Sequence, residues 1–173
     1  MTNKARSALL QTHPHLKDFM AFLDHLIQES ERGQVLISAT MLDDLLMKTI
    51  QAFLIRGRSA DKLLDGFNAP LGTFLARIEA THSMGLISNE EHHDATVIRK
   101  IRNEFAHTLT ASFDDQRIKD QCAALHSSAK DYGDVVVSAR GQFTSAATAL
   151  ILKLTNRPHY VEKTGLAWEP WPD

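Results

Sequence analysis

The sequence predicts an all-α fold, a single-domain bundle of about six to eight helices. Apolar residues recur at helical spacing along almost the whole chain, and no alternating pattern long enough for a strand is present. A length of 173 residues, 43% of them hydrophobic and 23% charged, suits one domain with a sizeable core. We expect one domain over residues 1–173, with a core at about 15–155 and a tail at 156–173 whose Trp168 and Trp171 fold back onto the body.

The first two helices are predicted on either side of Gly33. The first runs from about His15 to Ser30, and Pro14 before it has a fixed φ that suits the start of a helix. The second runs from about Gln34 to Leu54.

Asp43 and Asp44 lie within the apolar stripe of this second helix. At least one of the two carboxylates is expected to be partly buried, and a buried carboxylate requires a cationic partner. Arg77 and Arg102 are the candidates, and the sequence alone does not decide between them.

The next part of the chain is predicted as a short helix, a loop and a longer helix. Ser59 suits the N-cap of a short helix over residues 60–64. Residues 65–70 have the composition of a loop, and Pro70 is expected to open a helix that ends at Gly85.

A capping box starts the following helix, because Glu91 lies three residues after Ser88. This helix is predicted from Asn89 to about His107. It carries the polar residues of the candidate site described below.

Two more helices, at about Asp114–Tyr132 and Ser138–Leu154, complete the predicted core. Gly133 ends the first of them, and Val135–Val137 is expected to be a short extended segment. Small residues at Ser145–Ala149 allow close helix packing within or between subunits, so the sequence leaves a homodimer open.

The composition excludes several classes of function. Lys and Arg number 19 and Asp and Glu 21, a net charge of −2, so the chain lacks the excess of cations that neutralises nucleic-acid phosphates. The single cysteine, Cys122, and the lack of a signal peptide or membrane-spanning apolar run predict a cytoplasmic protein. No glycine-rich phosphate loop, nucleophile elbow or Cys–His pair is present, and no cofactor is predicted.

No standard DNA-reading helix-turn-helix is predicted. The segment Arg77–Arg99 comes closest, with two helices joined around Gly85, but its second helix opens with Glu90, Glu91 and Asp94. These carboxylates would face the DNA phosphates. We therefore interpret this segment as a capped helical hairpin of the core.

Two groups of histidines have the composition, but not the spacing, of a metal site. His92 and His93 are adjacent, and adjacent residues project about 100° apart on a helix, whereas a helical site needs ligands one turn apart. His13 and His15 have the same weakness. Both groups are interpreted as solvated polar surface, and no metal is predicted.

The densest group of polar side chains lies near the end of the Asn89–His107 helix. Its apolar residues Ile98, Ile101 and Phe105 are expected to hold this segment against the core. The polar ones are Arg99, Lys100, Arg102, Asn103 and His107. Because Arg99, Lys100 and Arg102 are the only local concentration of basic groups, they are the expected contact for a polyanion or a partner.

Arg102 and His107 also have the chemistry of a catalytic pair. The guanidinium can bind a phosphate, and the imidazole can act as general base for a ribose 2′-hydroxyl. On an ideal helix they lie about 140° apart, so they converge only if the helix ends near Ala106 or a second subunit completes the site. In the structural alternative, Arg102 pairs with a buried aspartate while Asn103 and His107 serve the helix C-terminus.

Several short segments between about residues 60 and 110 occur in an order typical of one family. They are Leu63–Gly66, Ala69–Gly72, Arg77–Ile78, Met84–Ser88, Glu91, Asp94, Ile98 and Ile101–His107. In this combination the chain resembles the mannitol operon repressor (MtlR-like) family, and the resemblance extends more loosely, by helix order, over residues 15–155.

This resemblance implies an all-helical, cytoplasmic bacterial protein that represses the genes for mannitol uptake and phosphorylation by a phosphotransferase system. The family lacks a recognised DNA-binding motif, which implies action through a protein partner, RNA or an indirect contact. No catalytic or ligand-binding residues come with the family pattern. The resemblance therefore implies a non-enzymatic transcriptional regulator, with direct operator binding disfavoured.

The segment from Arg102 to His107 is also similar to the Arg-x-x-x-x-His motif of HEPN domains, helical proteins that include metal-independent ribonucleases. In that family the Arg and the His are the catalytic pair, often assembled at a dimer interface. This second resemblance implies an alternative function: an RNA-binding or RNA-cleaving domain that uses Arg102 and His107, with Asn103 positioning them.

Overall fold

The computed structural model describes residues 9–167, apart from the side chain of His15. Trp168 and Trp171 lie outside the described residues, so their expected position is not addressed by the structure. The described part of the tail does turn back, and Leu166 donates a backbone hydrogen bond to Phe53 at 2.8 Å.

The described chain is helical, as the sequence predicts. A 3-10 turn at Pro14–Leu16 precedes the first long helix, and residues 9–12 are also helical. The α-helices are α1 (Lys17–Gln28), α2 (Glu31–Phe53), α3 (Arg58–Leu64), α4 (Phe74–Ser83), α5 (Asn89–His107), α6 (Gln116–Ala123) and α7 (Ala139–Val161). The only β pairing within residues 9–167 is a single bridge between Tyr132 and Val135.

The two longest helices, α2 and α7, form the central pair of the bundle, and α5 packs against both. The small residues Ala146 and Ala147 of α7 are fully buried within this chain, which uses the predicted close-packing segment inside the bundle. Large apolar side chains fill the rest of the core, among them Leu42, Leu46, Ile98, Ile101, Phe105, Phe143, Leu150 and Ile151.

The sequence predicts a break between the first two long helices at Gly33, and this prediction is wrong. α2 begins at Glu31, and Gly33 lies in its first turn. Ser30 is the N-cap, and its hydroxyl accepts a hydrogen bond from the backbone N–H of Gly33 at 3.1 Å. This bond satisfies one of the free N–H groups at the helix start, which explains why the helix begins before the glycine.

The starts of α3 and α4 also differ from the prediction. α3 begins at Arg58 with Gly57, not Ser59, as its N-cap residue. α4 begins at Phe74 behind Thr73, whose hydroxyl accepts from the backbone N–H of Ala76 at 3.2 Å. Pro70 stays in the loop, because the following residue, Leu71, is hydrogen-bonded back to α3.

α5 has the predicted bounds and the predicted capping box. The Ser88 hydroxyl accepts from the backbone N–H of Glu91 at 3.2 Å, and the Glu91 carboxylate accepts from the backbone N–H of Ser88 at 2.9 Å. Both contacts satisfy N–H groups that the first turn of a helix leaves free. The capping box is therefore confirmed.

α6 ends at Ala123, well before the predicted Tyr132. The carboxylate of Asp94 accepts hydrogen bonds from the backbone N–H groups of His126 and Ser127 at 2.8 and 2.9 Å, which fixes the chain in a loop there. Val135–Val137 forms no strand ladder. Within α6, Cys122 is fully buried, and burial raises the pKa of its thiol to about 12.

α7 continues to Val161, so the core extends past the predicted boundary at residue 155. Pro158 lies inside the helix and removes one backbone hydrogen bond. The preceding residue, Arg157, donates hydrogen bonds to the Glu91 carboxylate at 2.7 Å and to the Leu86 carbonyl. These contacts tie the last turns of α7 to the start of α5.

Asp94 is a buried carboxylate whose charge the fold requires. Burial on its own would raise its pKa, but the N–H groups of His126 and Ser127, together with the Ser127 and His93 side chains, lower the pKa below its ordinary value. An aspartate with a lowered folded-state pKa stabilises the protein fully above about pH 4, and this contribution is lost as the pH falls through the folded-state pKa.

We expect Asp94→Asn to lower the free energy of unfolding at pH 7 by about 2 to 3 kcal/mol. The asparagine side chain has one NH2 group in place of a carboxylate oxygen, so it can accept only one of the hydrogen bonds from the N–H groups of His126 and Ser127. Urea denaturation at pH 7 and in steps below pH 4 measures this loss, which should shrink as the wild-type carboxylate is protonated. The control is Asp134→Asn at an exposed position, which should change the free energy of unfolding by less than about 0.5 kcal/mol. Equal stability of the two variants at pH 7 would contradict this role.

The Arg157–Glu91 pair is expected to stabilise the fold more than the exposed Arg56–Glu162 pair. The Arg157 and Glu91 side chains are 26% and 8% exposed, whereas those of Arg56 and Glu162 are 81% and 54% exposed. Arg157→Met should therefore cost about 2 to 3 kcal/mol and Arg56→Met less than about 1 kcal/mol in urea denaturation. Similar losses in the two variants would show that burial does not distinguish them.

Candidate functional site

The polar residues of the predicted site lie on the second half of α5. The side chains of Ile98, Ile101 and Phe105 are fully buried and fix this segment against the core. The polar side chains between them reach the surface to different extents. Arg99, Arg102 and Asn103 are half-buried, and Lys100 and His107 are exposed.

Arg102 and His107 are not in direct contact. α5 remains helical to His107, so side chains five positions apart project about 140° apart. Arg102 donates from Nη1 to Oδ1 of Asn103 at 3.1 Å. Asn103 is four positions before His107 and therefore on the same side of the helix. The hydrogen bond draws the Arg102 guanidinium toward the side that carries His107.

Arg99, Lys100 and Arg102 form no ion pair within residues 9–167. Glu104, the next acidic residue along the helix, is already paired with Arg117 at 2.9 Å. The Nε of Arg99 is buried and has no hydrogen-bond partner in the described structure. Three positive charges within one helical turn therefore lack a neutralising carboxylate, which favours contact with an anion. We refer to these three residues as the basic turn of α5.

The partner of the partly buried Asp43 is Arg77, one of the two predicted candidates. Its Nη1 lies 2.9 Å from Oδ1 of Asp43, and the two side chains are 11% and 29% exposed. Asp44 pairs with Lys48 on the surface at 2.8 Å. The alternative in which Arg102 binds Asp43 or Asp44 is therefore wrong. The Arg102 guanidinium binds the side chain of Asn103 instead.

Arg32, a residue of the first turn of α2 that was not among the predicted site residues, binds the carbonyl groups at the end of α5. Its guanidinium donates to the carbonyls of Phe105, Thr108 and Leu109, the last two at 2.8 and 2.7 Å. His107 lies in the last turn, but its imidazole has no hydrogen-bond partner in the described structure. No local pattern indicates Arg32, because it lies more than 70 residues from the carbonyls it binds.

His92 and His93 project to different sides of α5, and both pack against other histidines. His92 stacks on His82, with ring centroids 4.2 Å apart, and its Nε2 lies 3.3 Å from the Glu79 carboxylate. His93 meets the edge of His126 at 4.5 Å. Within the described residues, no group of three His, Cys, Asp or Glu side chains is arranged to hold a metal ion.

The α4–α5 hairpin belongs to the core, in agreement with the interpretation from the sequence. Glu91 and Asp94 are buried in the first turns of α5, where they bind Arg157 and the loop after α6. Arg77 is also buried and holds the loop before α4 through the Leu71 carbonyl at 2.9 Å. The beginning of α5 is thus enclosed by other parts of the chain and does not project as a recognition helix.

None of the helices in the described part of the chain is long and apolar enough to cross a membrane.

No family model matches the chain, and no curated protein matches it. Among solved structures, the chain is similar to one described as the X-ray structure of the MtlR-HPr complex from Escherichia coli. The TM-score is 0.58 with 20% sequence identity, over 82% of this chain and 96% of that one. At this identity the likeness shows the fold: the chain has an MtlR-like fold. The comparisons lend no support to the HEPN-like motif, which stays a prediction.

Proposed function

We propose that this chain is a cytoplasmic, non-enzymatic transcriptional regulator of the mannitol-repressor type that acts through a protein partner. The observation that carries the proposal is the similarity of its fold to a protein solved in complex with HPr. The segments Ala69–Gly72, Met84–Ser88 and Ile101–His107, which resemble the mannitol repressor family, support the same function.

The charge distribution supports a protein partner over direct operator binding. The net charge is −2, and the first turns of α5 are enclosed by the fold. Proteins that read DNA need a cluster of basic groups large enough to neutralise several phosphates. The basic turn of α5 supplies three unpaired cations, which suits a limited contact with acidic groups on a partner.

We expect the purified protein to bind HPr with a Kd of about 10 μM or tighter in isothermal titration calorimetry. If the basic turn contributes to this contact, Arg102→Glu should weaken binding by about tenfold. Lys153→Glu, a charge reversal at an exposed position on α7, should leave it unchanged.

The same protein should bind mannitol promoter DNA weakly and without sequence preference at two salt concentrations. Tight, sequence-selective and strongly salt-dependent binding to the promoter, with no binding to HPr, would overturn the proposed mechanism.

A second candidate function is a HEPN-like ribonuclease that uses Arg102 and His107. The observation that favours it is the hydrogen bond from Arg102 to Asn103, because Asn103 lies one helical turn before His107. In this alternative the guanidinium binds a phosphate and the imidazole removes the proton of the ribose 2′-hydroxyl. A second subunit would bring the two groups of opposite chains together.

This candidate predicts RNA cleavage in the presence of EDTA, with products that end in 2′,3′-cyclic phosphate. His107→Ala should reduce cleavage by at least about a hundredfold, the usual contribution of a general base. His25→Ala is the matched control, because His25 is also an exposed histidine in the last turn of a helix. Intact RNA after incubation with the wild-type protein would count against catalysis.

A further inference from the structure

The most exposed apolar side chains of the described structure lie at one end of the helical bundle. Within residues 9–167, six large apolar side chains are at least 67% exposed, and one of them is Phe67 in the loop after α3. The other five lie at the end of α1, just after the end of α5 and just before the start of α7. They are Ile27, Leu109, Tyr132, Val135 and Val136, and we refer to them as the bundle-end patch.

Hydrogen bonds hold these three segments next to the start of α2. Arg32, in the first turn of α2, binds the Leu109 carbonyl at 2.7 Å. From the first turn of α7, Arg140 donates to the Glu29 carbonyl at 3.3 Å and to the Gln34 side chain at 2.8 Å. The end of α1, the end of α5 and the start of α7 therefore meet at the same end of the bundle.

The loop before α7 presents its apolar side chains on a defined turn. Tyr132 and Val135 exchange two backbone hydrogen bonds, at 3.1 and 3.0 Å. Gly133 between them has a φ of 56°, which glycine adopts without steric cost. The Asp131 carboxylate accepts a hydrogen bond from the backbone N–H of Val137 at 2.7 Å, which joins the turn to the start of α7.

The composition of the bundle-end patch is typical of the centre of a protein interface. Single exposed apolar residues are common on protein surfaces, but a concentration of them marks an interaction site. Tyrosine is also enriched among the residues that contribute most to binding, and Tyr132 is 87% exposed. This end of the bundle is therefore suited to a partner with an apolar contact surface.

The charges around the bundle-end patch are mainly negative. The nearby cations Arg32, Lys130 and Arg140 donate to oxygen atoms of the chain itself. Four exposed carboxylates at this end form no ion pair within residues 9–167. They are Glu29, Asp115, Asp131 and Asp134.

This distribution of charge selects the class of partner. Carboxylates at the edge of the patch repel the phosphates of a nucleic acid and the headgroups of anionic lipids. They attract lysine and arginine side chains, because the charges at the rim of an interface are usually complementary. An apolar protein surface with a basic edge therefore fits the bundle end.

We propose that the bundle-end patch docks a protein partner whose contact surface is apolar at its centre and basic at its edge. Leu109 and Tyr132 pack against the apolar centre, and Asp134 faces the basic edge. This inference rests on the proposed function, because it names the surface through which the chain binds its protein partner. The basic turn of α5 would select acidic groups instead, so the two surfaces can be tested separately.

The test is isothermal titration calorimetry with HPr, the protein present in the solved complex that has a similar fold. Leu109→Ser and Tyr132→Ser should each weaken binding by at least about tenfold, because a buried anchor at the interface is lost. Phe67→Ser is the matched control and should leave binding unchanged. Phe67 is 98% exposed, but Arg77 ties its loop to Asp43, about 18 Å along α2 from the start of that helix.

A second pair of variants tests the charge of the partner. Asp134→Lys should weaken HPr binding by at least about threefold at low salt, and the difference from the wild type should shrink at high salt. Asp61→Lys, at an exposed carboxylate on α3, should have no effect at either salt concentration. Tighter binding by Asp134→Lys would overturn the basic edge of the partner and with it the proposal.

Failure of this inference and failure of the proposed function give different results. If the wild-type chain does not bind HPr, both are overturned. If it binds HPr and both serine variants of the patch bind equally well, only the docking surface is overturned. The same holds if light scattering shows a dimer that Leu109→Ser dissociates without weakening HPr binding, because a second copy then covers the patch. Thermal melting of each variant checks that the fold is intact, as expected for exposed positions.

Discussion

Arginines from other helices bind both ends of α5. The position of the polar residues that α5 carries depends on these contacts. At its start, Arg157 of α7 binds the Glu91 carboxylate and the Leu86 carbonyl. At its end, Arg32 of α2 binds three carbonyls, those of Phe105, Thr108 and Leu109. Each guanidinium offers several donors in a fixed geometry, which lets one side chain join two elements. The polar residues of α5 are therefore presented on a helix whose position is fixed.

The arginines of this chain serve two different purposes. Arg32, Arg77 and Arg157 bind backbone carbonyls or buried carboxylates, and they hold helices and loops together. Arg99 and Arg102 belong to the basic turn, where no described carboxylate neutralises them. The net charge of −2 does not show this difference, because it counts every arginine in the same way. Only the structure separates the arginines that bind other parts of the chain from those that form no ion pair within the described residues.

Local sequence patterns predicted the helices and the capping box of α5, but they missed the local caps Ser30 and Thr73 and the features that depend on distant residues. The capping box of Ser88 and Glu91 lies within four residues, so its pattern was sufficient. Asp94 could have been recognised, because it lies four residues before Ile98 on the buried stripe of α5. The early end of α6 could not, because it depends on hydrogen bonds from residues 126 and 127 to that carboxylate. The polar residues of the candidate site lie on α5 as expected, whereas the choice of Arg77 as the partner of Asp43 required the tertiary structure.

The burial of Cys122 bears on whether this chain can form a disulfide with another molecule. It is the only cysteine of the chain, it is fully buried, and burial keeps its thiol protonated at neutral pH. Disulfide exchange and most oxidants require an accessible thiolate. The folded chain thus has no covalent means of linking itself to a partner or to a second copy through sulfur. An intermolecular disulfide would therefore require the core around Cys122 to open first.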